Sequence, residues 1–190
     1  MEQLIYDDHI FDNQNFAGQT VKGREFQSCV FKNCDFTEAN FGDDKLLDCT
    51  FQDCNLSMLK LKGSTLNNVE FLRCKILAVT FYECQDFLFS VYFKECTLDY
   101  SSFMRKKMLK TTFTKSSLKE VNFTQANLSG SIFNDSDLLG AVFNETDLSS
   151  ANFESAYNYS IDPELNNIRK ASFTLTGIPG LLDKYQIRIK

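Results

Sequence analysis

The chain has no tryptophan, only two prolines and a single histidine among its 190 residues, and no apolar run approaches the ~20 residues that a membrane-spanning helix needs. The last absence argues against a helical membrane protein. The opening MEQLIYDDHI shows no basic start followed by an apolar stretch, so no secretory signal is read there. A lone histidine, His9, is more often structural than catalytic. No nucleophile elbow, phosphate-cradling glycine loop or metal-ligand cluster is present. The sequence therefore makes no case for an enzyme, a cofactor or a metal.

What is abundant is phenylalanine, 19 residues, and it is periodic. Residues 126–155 read in fives as ANLSG SIFND SDLLG AVFNE TDLSS ANFES. Leu or Phe takes the third place of every block (Leu128, Phe133, Leu138, Phe143, Leu148, Phe153), and a small residue stands two places earlier. A period of five is neither the 3.6 of an amphipathic helix nor the 2 of a half-buried strand. The centre and the small residue share a parity, so an extended segment points both to one side. The remaining places carry Asn, Asp, Ser and Gly, which form turns. Each block is thus a short extended piece followed by a corner. Repetition winds the chain into a solenoid whose core exists only by stacking turn on turn.

The fold class that follows is all-β, and the length suits one domain. Residues 1–10 are expected to cap the first turn, 11–175 to form coils with a register break at 82–92, and 176–190 to form a C-terminal cap or dimerisation element. Of the 19 Phe, only Phe87 and Phe89 miss a centre; both lie in the break, where the phase shifts by two and Leu88 is the best new centre. Those two side chains are a candidate aromatic patch for an unknown protein partner, if they do not simply pack over an irregular turn. In the tail, a short helix from Pro179 to Lys184 is expected to lead into an edge strand at YQIRIK. Leu181, Leu182, Tyr185, Ile187 and Ile189 give it an apolar side, which either caps the open end or pairs with a second copy as a homodimer.

All seven cysteines occupy the small inward place, a column that cannot converge on a metal. They read as core packing, and an odd number of free thiols suits a reducing compartment, hence a cytoplasmic location. Four charges share that inward place: Arg24, Asp44, Asp86 and Lys106. They form two opposite-sign pairs 20 residues apart, so a turn of four blocks stacks Arg24 on Asp44 and Asp86 on Lys106.

Blocks such as CDFTE, ANFGD, CNLSM, ANLSG and AVFNE resemble the pentapeptide-repeat proteins over roughly residues 11–175. The resemblance implies a right-handed quadrilateral β-helix. The chain is similar in size, in a tract interrupted near its middle, and in its ending to the quinolone-resistance and toxin-immunity branch. That branch binds DNA gyrase or topoisomerase IV as an acidic imitation of duplex DNA and dimerises through a short C-terminal helix and strand. Some members carry long projecting loops; here no interruption exceeds a couple of residues before the C-terminal region.

Charge is zoned. Residues 60–119 hold eleven bases and five acids, whereas 120–168 hold eight acids and no base. Asp135, Asp137, Glu145, Asp147 and Glu154 are therefore the candidate acidic partner-binding surface, unless Asp here serves only as a corner residue. The basic band has no nucleic-acid reading motif, so no direct nucleic-acid partner is expected.

Overall fold

The computed structural model describes residues 5–189. The backbone follows the five-residue period as a four-sided β-solenoid. Parallel pairing joins residues 20 apart, as Ile5 with Glu25, Val30 with Thr50 and Lys45 with Thr65. On one side β1 (Ile5–Asp7), β3 (Glu25–Gln27), β5 (Lys45–Leu47) and β7 (Thr65–Asn67) form a four-stranded sheet. On the next, β2 (Ile10–Asp12), β4 (Val30–Lys32), β6 (Thr50–Gln52), β8 (Val69–Leu72), β9 (Val91–Lys94), β10 (Thr112–Thr114) and β11 (Ile132–Asn134) form a seven-stranded one. The other two sides pair through single bridges such as Asp35–Asn55 and Asn40–Lys60.

Two local devices shape the corners. The residue two after the centre takes positive φ, as at Asn13 (52°), Asp53 (55°) and Gly63 (75°). Asn, Asp and Gly tolerate this region best, which is why they recur there. In addition, an Asn or Asp one before the centre accepts a hydrogen bond from the N–H one after it. Asp35 Oδ1 does so from Thr37 at 2.9 Å, and Asn122 Oδ1 from Thr124 at 2.9 Å. This Asx turn satisfies a backbone donor that the corner would otherwise leave free.

The core is a stack of rings. Phe11, Phe31, Phe51, Phe71, Phe93, Phe113, Phe133, Phe153 and Phe173 lie one above another, centroids 4.6–5.3 Å apart. Rings on adjacent sides meet edge-on, as Phe31 with Phe36 at 78°. Both arrangements are favourable for aromatic quadrupoles. The small inward place prefers a side chain that can donate to a nearby carbonyl. Cys34 Sγ donates to the Lys32 carbonyl at 3.1 Å, Ser131 Oγ to Met108 at 2.9 Å, and Thr146 Oγ1 to Phe123 at 2.9 Å. All seven cysteines are free and buried, and burial pushes the Cys49 thiol up to about 12. Burial also raises the thiols of Cys29, Cys34 and Cys84, and all seven serve as core packing.

Two expectations about the coils change. Residues 5–10 are not a separate cap but the start of the first coil, with Tyr6 in a centre place and stacked on Phe26 at 5.2 Å; residues 1–4 lie outside the described residues. Leu88 is not a centre. Phe81 stacks on Phe103 and Phe71 on Phe93, each 22 apart, so two extra residues enter this coil. The old register nevertheless runs through Leu88, which has φ 57° and sits exposed at a corner, with the Phe89 N–H donating to the Asp86 carbonyl at 3.3 Å. Residues 85–89 form no strand, and the first sheet ends at β7.

The tail departs as well. Leu175–Leu181 and Asp183–Tyr185 are 3-10 turns. The strand expected over 185–190 is not formed among the described residues: Gln186 turns the chain with φ 50°, and no neighbouring strand supplies ladder partners to 187–189.

Candidate functional site

The candidate acids do not form one patch. Asp135 and Glu145 are ten residues apart, half a turn of a coil with a 20-residue repeat, and so lie on opposite edges. Asp135, Asp137 and Glu154 belong to one edge and its flanks, Glu145 and Asp147 to the other. Asp135, Glu145 and Glu154 are exposed, whereas Asp137 and Asp147 are half-buried and work as corner residues. Asp137 Oδ1 accepts from the Leu139 N–H at 3.2 Å and from Asn158 Nδ2 at 2.8 Å, while its Oδ2 lies 3.3 Å from Lys119 Nζ. Asp147 Oδ1 accepts from the Ser149 N–H at 3.0 Å and from Asn167 at 2.9 Å. Structural and electrostatic roles therefore coexist in the same carboxylates. The acidic zone still forms a rod section with negative charge on opposite edges.

The register break splits the candidate aromatic patch. Phe87 is 77% exposed, but Phe89 is 8% exposed and packs in the core. Inside, Phe89 meets Lys106, in the inward place of the next coil, whose ammonium lies over the ring, 5.0 Å from the centroid. Lys106 Nζ also donates to the Cys84 carbonyl and lies 2.7 Å from Asp86 Oδ1. Asp86 is thus not an inward residue; it faces solvent and supplies the counter-charge from outside.

The other inward pair meets differently from a stacked ion pair. Asp44 is fully buried, and its Oδ1 accepts the backbone N–H of Arg24 at 2.8 Å. Its Oδ2 has no hydrogen-bond partner. Burial pushes this carboxyl from its ordinary 3.8 up to about 6, against the lowering effects of the Arg24 N–H and guanidinium. Outward pairs do stack one coil apart: Arg73 grips Asp53 with two bonds of 2.7 and 2.8 Å, and Lys45 meets Glu25 at 3.1 Å.

The profile described as "Pentapeptide repeat region" matches residues 24–103, and "Pentapeptide repeats (8 copies)" matches residues 122–157, together more than half of the chain. The chain belongs to the pentapeptide-repeat family. Its solenoid is similar to that of QnrB1, a plasmid-mediated fluoroquinolone resistance protein, with a TM-score of 0.68 at 17% identity over 96% of this chain and 100% of that one. It is also similar to HetL, a pentapeptide-repeat protein involved in heterocyst differentiation regulation from the cyanobacterium Nostoc sp. strain PCC 7120, with a TM-score of 0.63 at 15% identity over 92% and 88%. No curated protein matches the sequence significantly. At these identities the likeness is one of fold.

Family members are generally non-catalytic binding proteins, and the surface of this pentapeptide solenoid suits that class. Its C-terminal element is fastened to its own last coil. The Ile161 N–H donates to the Gly180 carbonyl at 2.9 Å. Lys184 bridges Asp162 and Glu164 at 2.7 Å each, and the Tyr185 hydroxyl donates to Glu164 at 3.1 Å. Leu181 is buried in the core and cannot be a dimer contact, and Leu182 is half-buried. Tyr185, Ile187 and Ile189 remain exposed. The residues that sequence reasoning missed are Tyr159, buried beneath Gly177 and Gly180, and Asn166, which fills an inward place. Asn166 gave a signal, being 20 residues beyond Thr146, whose N–H it accepts at 2.9 Å.

Proposed function

We propose that this protein is a non-enzymatic binding rod that engages a type II topoisomerase, DNA gyrase or topoisomerase IV, and relieves its poisoning by a quinolone or a toxin. The observation that carries the reading is the section from residue 120 to 168, with eight acids and no base, on a rigid coil with carboxylates along opposite edges. A basic DNA-binding groove meets negative charge on both flanks of a duplex, and a rod with two acidic edges offers the same arrangement. The fold likeness to a fluoroquinolone resistance protein is compatible with this class of partner. A twofold contact through Tyr185, Ile187 and Ile189 would set two acidic sections on either side of the dimer centre.

The test is binding to gyrase of the wild type against Asp135→Asn, Asp137→Asn, Glu145→Gln and Asp147→Asn combined. Asn keeps the corner-forming acceptor, so the coil stays folded while four charges go. Loss of binding with an unchanged circular-dichroism spectrum supports the reading; unchanged affinity removes it.

A second reading has one observation in its favour. Phe87 stands in solvent at the break, as an anchor for an unknown protein partner would. On that reading the protein is an adaptor, Phe87→Ser abolishes partner capture, and topoisomerases are unaffected.

A further inference from the structure

The edge that carries Glu145 also carries its own complement. Arg105, Gln125 and Glu145 stack one coil apart, with Arg105 Nε donating to Gln125 Oε1 at 2.9 Å and Gln125 Nε2 to Glu145 Oε2 at 2.7 Å. Beside this column runs a second, Lys107, Asn127 and Asp147, joined coil to coil by parallel bridges. Both columns read cation, amide, anion in the same direction. Arg105, Lys107, Gln125 and Glu145 are exposed, and Asn127 and Asp147 half-buried. Among the described residues neither cation, nor Glu145, nor Asp147 is in an ion pair with its own chain.

We propose that this edge is a self-complementary interface for a second copy of the chain, laid alongside in the opposite direction. A twofold axis lying across the rod at the level of Gln125 and Asn127 keeps each column facing itself and reverses its order. Arg105 then meets the second copy's Glu145, and Lys107 meets its Asp147, with reciprocal pairs on the other side of the axis. The two amides lie on the axis, where like would meet like and a charge would be repelled. Such an interface is isologous, as closed dimers require. Apolar side chains bracket it. Phe87 and Leu88 stand exposed one coil before Leu109 and Lys110, on the side that begins at this edge, and Leu165 stands exposed one coil after Glu145, its carbonyl accepting the Glu145 N–H at 3.0 Å. In the reversed pair, Phe87 of one copy comes level with Leu165 of the other.

The contact spans about five coils, roughly 20 Å along the rod at the strand spacing, and is confined to one edge, so it buries less than the ~1,600 Å² of a standard stable interface. The association is therefore weak and salt-sensitive. It is also lateral, hence distinct from any pairing through the C-terminal element. The inference does not rest on the topoisomerase reading. It bears on it, however: Glu145 and Asp147 are covered in the pair, so lateral pairing and engagement of a basic partner exclude one another.

Sedimentation velocity of the full chain at about 50 mM and about 500 mM NaCl, where screening lengths differ severalfold, isolates the salt-sensitive step. Reversing one end (Arg105→Glu with Lys107→Glu, or Glu145→Arg with Asp147→Lys) is expected to weaken that step at least about tenfold. Combining all four substitutions restores the pairing at the wild-type net charge, and is expected to bring association back. Association that is insensitive to salt, unaffected by the Arg105→Glu, Lys107→Glu reversal, or not recovered in a fourfold variant whose circular-dichroism spectrum matches wild type would overturn the proposal; because Asp147→Lys also removes a corner acceptor, that spectrum is checked first. Because the native thiols are buried, Gln125→Cys offers a single reactive thiol near the axis. A short bismaleimide is expected to join two copies at low salt but not at high salt; equal yields at both would also overturn it.

Discussion

Lys106 and Asp86 close the inserted coil across the register break: Nζ and Oδ1 are 2.7 Å apart, the lysine side chain 1% exposed and the carboxylate 76%. The buried partner fills core space with its stem, caps the Cys84 carbonyl and covers Phe89, whereas the exposed one contributes only a screened charge. Lys106→Ala is therefore expected to cost about 2–4 kcal/mol, through the cavity and the uncapped carbonyl. Asp86→Asn should cost about 1 kcal/mol or less, because its charge is solvated. Urea unfolding of both variants, followed by circular dichroism, checks the order; an equal or larger loss for Asp86→Asn contradicts it.

The two aromatic side chains of the break should separate cleanly. Phe89→Ser is expected to destabilise by about 3–5 kcal/mol, since it empties a core site and buries a hydroxyl. Phe87→Ser should lie within about 0.5 kcal/mol of wild type, because the ring makes no core contact. Thermal unfolding of the pair decides this, and Phe87→Ser then serves as the clean probe of partner binding.

Asp44 gives the solenoid a pH dependence. Its folded-state value of about 6 lies above the ordinary 3.8, so the folded chain holds the proton more tightly than the unfolded one. Folding takes up a proton in that window, and the contribution of Asp44 to stability falls as pH rises from about 4 to about 6. Asp44→Asn keeps the acceptor for the Arg24 N–H and removes the buried charge. Asn166 already shows such an amide in an inward place, donating to the Phe143 carbonyl at 3.1 Å. The variant is expected to be more stable than wild type at pH 7 by on the order of 1–3 kcal/mol, with the gap closing towards pH 4. Urea midpoints across that range test it; a gap that widens on acidification would contradict the assignment.

At the C-terminal end, a Cβ on Gly180 would collide with the Tyr159 carbonyl, and one on Gly177 with the Tyr159 hydroxyl. Gly180→Ala is expected to lift the 3-10 segment from the last coil, seen as faster hydrogen exchange across 175–189 with the phenylalanine stack intact. The Tyr159 hydroxyl is buried without a hydrogen-bond partner, so Tyr159→Phe should be neutral or stabilising by about 1 kcal/mol. A loss of stability in Tyr159→Phe would mean that the hydroxyl has an unseen partner.

The fold was legible because the five-residue period repeats one physical problem, filling a core by stacking, with one solution each time. Phe113 sits between Phe93 and Phe133 as the spacing alone requires. The corner conformation was only partly written in the sequence: Asn, Asp or Gly stands two places after some centres, but Glu95, Tyr100, Arg105, Lys110 and Lys115 take the same positive φ. The break was legible as a two-residue shift of phase, but its course was not, because a two-residue insertion can be absorbed at several points. The sequence does not say which ring goes inward; in the fold it is Phe89, which joins the core with the ammonium of Lys106 over its ring. Periodicity put Arg24 and Asp44 together but could not tell a guanidinium contact from the backbone N–H that is used. The acidic zone was visible as composition. Its division between two edges needs the four-sided geometry, and the corner roles of Asp137 and Asp147 need their hydrogen bonds.

The central claim is that the acidic rod protects a topoisomerase, and gyrase supercoiling in the presence of ciprofloxacin tests it most directly, with this protein titrated from nanomolar to tens of micromolar. The expected result is recovery of supercoiling by the wild type, lost when Asp135, Asp137, Glu145 and Asp147 are neutralised. No recovery at any concentration, or equal recovery by the neutralised variant, would contradict it.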